Sequence, residues 1–275
     1  MPTQSPSDRL RALHAGPGPV LLGAAWDVGT GRLAAHLGYP GIDTSSAGLA
    51  FSTGRPDAAG LLTRDEIVGA FGAIARAVDV PVNADLENGF GDDPDTVAET
   101  MRQAAAAGLA GGSIEDATGR ADRSLYALPL AVARVRAAVR AAVGGLMITA
   151  RCDAFMHGHH DLNEVIVRLR AYQDAGADCL MAPGLPDRDA VRAVVAELHR
   201  PVALVVGLGT WRPNMAELAE IGVRRVSVGS GTVRTAFTAY IDAAREALES
   251  GTFTRVAAAT PFAELNGLFR ELNSR

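Results

Sequence analysis

The stretch VPVNADLENGFGDDPDTVAETMRQAAAAGLAGGSIED, Val80 to Asp116, contains one full unit of the chain's repeating pattern. An apolar run, Val80–Leu86, leads into Glu87-Asn88 and a glycine turn, Gly89-Phe90-Gly91. A segment with apolar residues three and four apart follows, from Pro94 to Ala107. Pro94 takes a first-turn position, where its missing N–H costs nothing, and Gly108 closes the helix. A second apolar run, Ala110–Asp116, again ends in acid. Strand, helix and strand in this order form a unit of parallel sheet, because parallel strands need a crossover between them.

The alternation continues in both directions. Strand-like runs are Val20–Trp26, Gly41–Ala47, Val80–Leu86, Ala110–Asp116, Leu146–Asp153, Cys179–Pro183, Pro201–Val206 and Val223–Ser230. They are almost continuously apolar, as strands covered on both faces must be. Between them lie helical patterns such as Thr63–Val78, opened by a Thr63/Glu66 capping box. Leu162–Ala175 and Met215–Ile221 are others, closed by Gly176 and Gly222. Eight such units predict an α/β fold, a closed (β/α)8 TIM barrel. An open sheet would carry a full glycine phosphate turn after its first strand, and Trp26–Gly31 lacks that spacing. A helix, Ser7–Ala15, precedes the barrel, and an apolar tail, Phe253–Phe269, follows Thr232–Leu248. The expected organisation is one domain over 1–275, with a core of about 18–249 and a helical extension, 250–275.

A net charge of −5 argues against a nucleic-acid partner, which requires a basic face. No apolar run nears the roughly 20 residues that span a bilayer. Met1–Pro6 lacks the basic and apolar parts of a signal peptide. Cys152 and Cys179 lie in strand-like runs and are expected to be reduced, which places the protein in the cytoplasm.

Barrel chemistry sits at the C-terminal ends of the strands. There the chain sets Ser45-Ser46-Ala47-Gly48, then Asp85 and Glu87, then Glu115-Asp116, then Arg151-Cys152-Asp153. Asp85 and Glu87 are two apart and share a strand face. Crowded carboxylates repel unless a cation lies among them, and an oxygen-only set suits magnesium or manganese. Arg151 has two readings: a fork for a substrate carboxylate, or a salt bridge to Glu115 or Asp116. Asp116 and Asp153 read as structural, and Asp92, Asp93 and Asp95 as a helix start. His157-Gly158-His159-His160 reads as a solvated loop. Gly207-Leu208-Gly209 and Gly229-Ser230-Gly231 could cradle phosphate, although short loops need the same glycines.

Taken in order, Trp26-Asp27, Ser45–Leu49, Gly54-Arg55-Pro56-Asp57, Asn83–Gly91, Ser113–Asp116 and Thr149–Phe155 resemble the isocitrate lyase/phosphoenolpyruvate mutase superfamily. The resemblance runs from about residue 20 to 240. It implies a Mg2+-dependent enzyme that forms an enolate from a small 2-oxo or 2-hydroxy carboxylic acid. Asp85 would ligate the metal directly, with Asp57, Glu87 and Glu115 holding its waters. The substrate would meet Trp26, Ser46, Ala47, Asp85, Arg151 and the N–H groups of Gly48 and Leu49. It also implies a homo-oligomer, dimer or tetramer, through C-terminal helices.

One loop departs from the family pattern. Lyases carry K-K-C-G-H after the I-E-D strand, with the cysteine as acid/base, and mutases carry lysine and asparagine. Here Ala117–Tyr126 contains no Cys, Lys or His, and strand six ends in Ala182-Pro183 where mutases carry histidine. Arg120, Arg123, Ser124 and Tyr126 are the loop's remaining polar candidates, and Arg123 and Ser124 join Asp57, Glu115 and Arg151 as expected catalytic residues. The leading expectation is a carbon–carbon lyase or hydrolase. A phosphonopyruvate mutase or hydrolase and a 2-oxo acid binder with little catalysis are the alternatives.

Overall fold

A computed structural model describes residues 4–57, 60–122 and 124–273, with Val143 as backbone alone. The chain divides into two compact units, 1–229 and 230–275.

The first unit is the predicted barrel. Its strands are β1 Val20–Leu21, β2 Gly23–Ala25, β3 Ile42–Thr44, β4 Val82–Asp85, β5 Gly111–Glu115, β6 Met147–Arg151, β7 Cys179–Met181, β8 Val202–Val205 and β9 Arg225–Ser227. All pairings are parallel, in the order β1-β9-β8-β7-β6-β5-β4-β3-β2. The first predicted strand is split at Leu22. Its first half pairs with β9 and its second with β3, so one interrupted strand closes the ring. The strands are shorter than their apolar runs because the run ends leave the ladder to build the rim.

The helices of this unit are α1 Pro6–His14, α2 Val28–His36, α3 Ser46–Ser52, α4 Arg64–Ala77, α5 Pro94–Ala106, α6 Leu128–Ala141, α7 Leu162–Asp174, α8 Arg188–Ala196 and α9 Met215–Ile221. The Thr63/Glu66 capping box forms, and Gly222 ends α9 in the left-handed region. The predicted reach of the second strand to Ala47 is wrong. Ser45 caps a helix instead, its hydroxyl accepting from Gly48 N–H at 3.1 Å. Serine favours the N-cap because it satisfies an orphan helix donor.

The interior is layered. Leu10 of α1 packs with Leu22, Ala110, Met147, Cys179 and Ala203. Above it lies a buried polar layer in which Asn83 donates to Asp43 at 2.8 Å and Arg225 donates to Thr149 at 3.1 Å. His14, also buried, bonds the Leu10 carbonyl through Nδ1 at 2.8 Å, so Nδ1 carries the proton. Burial, with Arg225 nearby, lowers the His14 pKa to about 4 from 6.5. The unfolded chain therefore binds this proton first. The stabilising effect is complete above about pH 6.5 and lost as pH falls towards 4, by ~3 kcal/mol at most. His14→Gln is expected to flatten the fall in melting temperature over that window. An unchanged slope would contradict this.

The second unit consists of α10 Gly231–Ser250, α11 Thr254–Ala257 and α12 Phe262–Asn273. The tail read as one segment is thus two helices. Glu246 accepts from the Thr252 hydroxyl and from the N–H groups of Thr254 and Arg255, which fixes the turn into α11. Tyr240, Leu248, Phe253 and Phe262 are exposed. Among the described residues no helix is long and apolar enough to cross a membrane.

Candidate active site

Asp85, Glu115 and Arg151 end neighbouring strands β4, β5 and β6, and Glu115 lies in register with Arg151. Asp85 is held on several sides. Its Oδ2 accepts from the Ser46 hydroxyl at 2.7 Å and the Ser46 N–H at 3.2 Å, while its own N–H donates to Thr44 Oγ1 at 3.0 Å. One Arg151 terminal nitrogen lies 3.2 Å from Glu115 Oε2 and 4.0 Å from Asp85 Oδ1. Arg151 Nε donates to Asp153. Of the two readings of Arg151, the ion pair with Glu115 forms and the one with Asp116 does not. Asp116 instead accepts from Tyr172 at 2.6 Å, Arg168 at 3.3 Å and the Asp153 N–H at 2.8 Å. It braces the rim from behind.

The charges do not balance. Burial, reinforced by Asp85 and Asp57, pushes the Glu87 carboxyl up to about 7, against the pull of Arg151. Burial also pushes Glu115 well above the usual carboxylate range although Arg151 opposes it. Arg151 is itself held firmly protonated by Asp153, Glu115 and Asp85 against its burial. One guanidinium thus faces more acid than it neutralises. Asp57 is exposed, yet it acts on Glu87 electrostatically. Among the described residues no three His, Cys, Asp or Glu side chains meet closely enough to hold an ion directly.

The loop after β4 is strained. Glu87 and Phe90 have φ of 47° and 64°, in the left-handed region that non-glycine residues avoid. Such conformations persist only when their surroundings impose them, and they cluster at functional sites. Here the constraint comes largely from Arg134 of α6, which is buried and donates to the carbonyls of Asn88, Gly91 and Asp92. Its guanidinium also lies 4.0 Å over the Tyr126 ring. Sequence reading missed Arg134. The available signal was a charge on the apolar face of a helix, in step with Ala131, Val135 and Ala138.

Other expected residues are placed as follows. Gly48 and Leu49 N–H groups both donate to Ser45, so in this structure they serve the start of α3. Gly48 is needed there for contact, since a Cβ would meet Trp26 Cβ at 2.7 Å. Ala47 is buried beside them. Arg123 lies outside the described residues. Ser124 meets His159, Nε2 to Oγ 3.1 Å, so this part of the histidine loop is engaged by a neighbouring loop. Arg120 and Tyr126 both bind Asp92.

The family described as phosphoenolpyruvate phosphomutase matches residues 10–248. The chain belongs to the phosphoenolpyruvate mutase/isocitrate lyase superfamily. Within this superfamily it is similar to the oxaloacetate decarboxylase of Pseudomonas paraeruginosa (strain DSM 24068 / PA7). The two are 34% identical over 230 residues, 81% of this chain and 78% of that one. A provisionally named lyase/mutase from Burkholderia cenocepacia J2315 is 47% identical, with a TM-score of 0.92 over 96% of this chain and 95% of its own. A 2,3-dimethylmalate lyase structure is 28% identical, with a TM-score of 0.85 over 98% of this chain and 95% of its own. The superfamily's phosphoryl chemistry and its carbon–carbon cleavage share one barrel, so the fold alone does not choose between them.

Proposed function

We propose that this superfamily member cleaves a carbon–carbon bond in a small 2-hydroxy or 2-oxo dicarboxylic acid and yields pyruvate or a near relative. The observation that carries the reading is the rim's excess of acid around a single arginine, with Asp85 pinned by Ser46 and Thr44. Relatives named for oxaloacetate decarboxylation and dimethylmalate cleavage support it.

The donor set fits a hard divalent cation. All donors are oxygen, and Glu87 and Glu115, raised chiefly by burial and further by neighbouring acids, would be favoured in their charged form by a cation among them. Asp85 would hold Mg2+ or Mn2+ directly, with Asp57, Glu87 and Glu115 holding it through water. When bound, such an ion supplies fixed positive charge opposite the oxygen on which negative charge develops. Arg151 supplies the protein's own share, kept in place by Glu115 and Asp153, so little reorganisation is needed during the reaction. Its remaining N–H groups can take a substrate carboxylate. The Ser46 contact fixes Asp85 on its α3 side.

The two thiols are buried and free, which fits a reducing cytoplasm. The exposed apolar residues of α10 and the tail give a homo-oligomer its contact surface, and a monomer in sedimentation equilibrium would remove that part of the proposal.

The test is a panel of malate-like and oxaloacetate-like acids with magnesium, assayed for pyruvate, with phosphonopyruvate alongside. Pyruvate from at least one carbon acid, and none from phosphonopyruvate, is expected. Silence across the carbon acids would sink the reading.

A further inference from the structure

We propose that Ser124, backed by His159 and Glu164, is the proton-transfer group of the rim site; this rests on the function proposed above. Cleavage of a carbon–carbon bond leaves an electron pair on carbon that must be protonated. The chain contains no lysine, and both cysteines are buried. Of its six histidines, His14, His36 and His199 lie at the barrel floor, in α1, at the end of α2 and just before β8. That leaves His157, His159 and His160 on the same rim, and among the described residues His159 is the one that bridges two loops.

The geometry forms an ordered chain. Ser124 Oγ lies at hydrogen-bond distance from His159 Nε2, 3.1 Å, and His159 Nδ1 lies 3.8 Å from Glu164 Oε2, an electrostatic contact longer than a hydrogen bond. Glu164 is itself fixed, accepting from Arg168 Nε at 2.9 Å. In the neutral ring with the Nδ1 proton towards Glu164, Nε2 accepts from the serine hydroxyl; in the imidazolium, Nε2–H donates to the serine oxygen instead. This hydroxyl–imidazole–carboxylate order lets an imidazole activate a weak oxygen acid.

Both partners rise from the strands that carry the site. The Ser124 loop follows β5. It is pinned by Thr118 N–H on the Ser124 carbonyl at 2.8 Å and Tyr126 N–H on the Asp116 carbonyl at 2.9 Å. The His159 loop follows β6, its N–H donating to the Ala154 carbonyl at 2.9 Å, next to the Asp153 that holds Arg151. Ser124 is half-buried, whereas His159 is 43% exposed, so the outer end of the relay reaches solvent. Among the described residues, Glu164 and Ser124 are the polar groups that contact the imidazole, and Arg168 stands behind Glu164.

The step is a proton transfer with no redox partner. On cleavage, Ser124 Oγ–H gives its proton to the carbon that keeps the electron pair. This direction starts from the imidazolium, whose Nε2–H passes to the Ser124 oxygen and restores the hydroxyl. The ring is left neutral with its Nδ1 proton, and solvent returns the Nε2 proton. In reverse, with pyruvate, Ser124 passes its proton to His159 and takes one from the methyl carbon, whose electron pair shifts towards the carbonyl.

Pyruvate with magnesium in D2O therefore tests the relay, by loss of the methyl signal in proton NMR. Wild type should exchange. Ser124→Ala and His159→Asn should each slow exchange at least ~100-fold while binding pyruvate within about twofold of wild type. Glu164→Gln, which alters a positioning residue, should displace the pH profile of exchange while pyruvate affinity holds. Exchange within about threefold of wild type in the serine and histidine variants would overturn the relay and leave the cleavage reading standing. So would wild type that binds pyruvate without exchanging it. Wild type that neither binds nor exchanges pyruvate would overturn the function beneath, and the relay with it.

Discussion

Arg151→Met is expected to lower kcat/KM by about 10³-fold or more while tightening Mg2+ binding. The first effect follows from losing a preorganised cation where negative charge develops, a loss that typically costs 10²–10³ for a single donor. Here the proposed substrate contact is lost together with the brace on Glu115. The second effect is diagnostic. Arg151 occupies the same acidic field as the proposed ion, held there by Asp153, Glu115 and Asp85. Removing one cation leaves that field to the other. Steady-state kinetics and a magnesium titration of the same variant measure both. A variant that loses activity and also binds magnesium more weakly would mean that Arg151 builds the site but does not compete within it.

Arg134→Met is expected to cost about 2–4 kcal/mol of stability, since a hydrogen bond to a charged group contributes ~1.5–3 kcal/mol and an unpaired buried carbonyl costs ~1–3 kcal/mol. The side chain is 1% exposed and satisfies the Asn88, Gly91 and Asp92 carbonyls. Methionine fills much of the volume but donates nothing, so the part-buried carbonyls lose their partner. For a domain of this size the midpoint should fall by roughly 10 °C. The strained Glu87 and Phe90 would relax with the loop, so magnesium affinity should fall as well. A stability loss under ~1 kcal/mol, or unchanged magnesium binding, would show that the loop holds its shape without Arg134.

The barrel was legible because its signal is periodic. Each apolar run and each 3.6-residue pattern repeats the same instruction, and the caps at Thr63 and Pro94 confirm it locally. The acidic rim was legible because polar residues at strand ends stand out against buried strands. Three things were not. The break at Leu22 depends on which neighbour each half of one strand meets, a closure effect invisible in the run itself. The role of Arg134 depends on three carbonyls from 42 to 46 residues away. The histidine loop looked solvated because its partner, Ser124, lies 35 residues away on another loop, and no local spacing links them.

The most direct test of the Asp85-centred site is a calorimetric titration with pyruvate, with and without magnesium, of wild type and Asp85→Ala. Magnesium-dependent binding in wild type that vanishes in the variant is the predicted result. Binding that ignores magnesium, or that survives loss of Asp85, would contradict it.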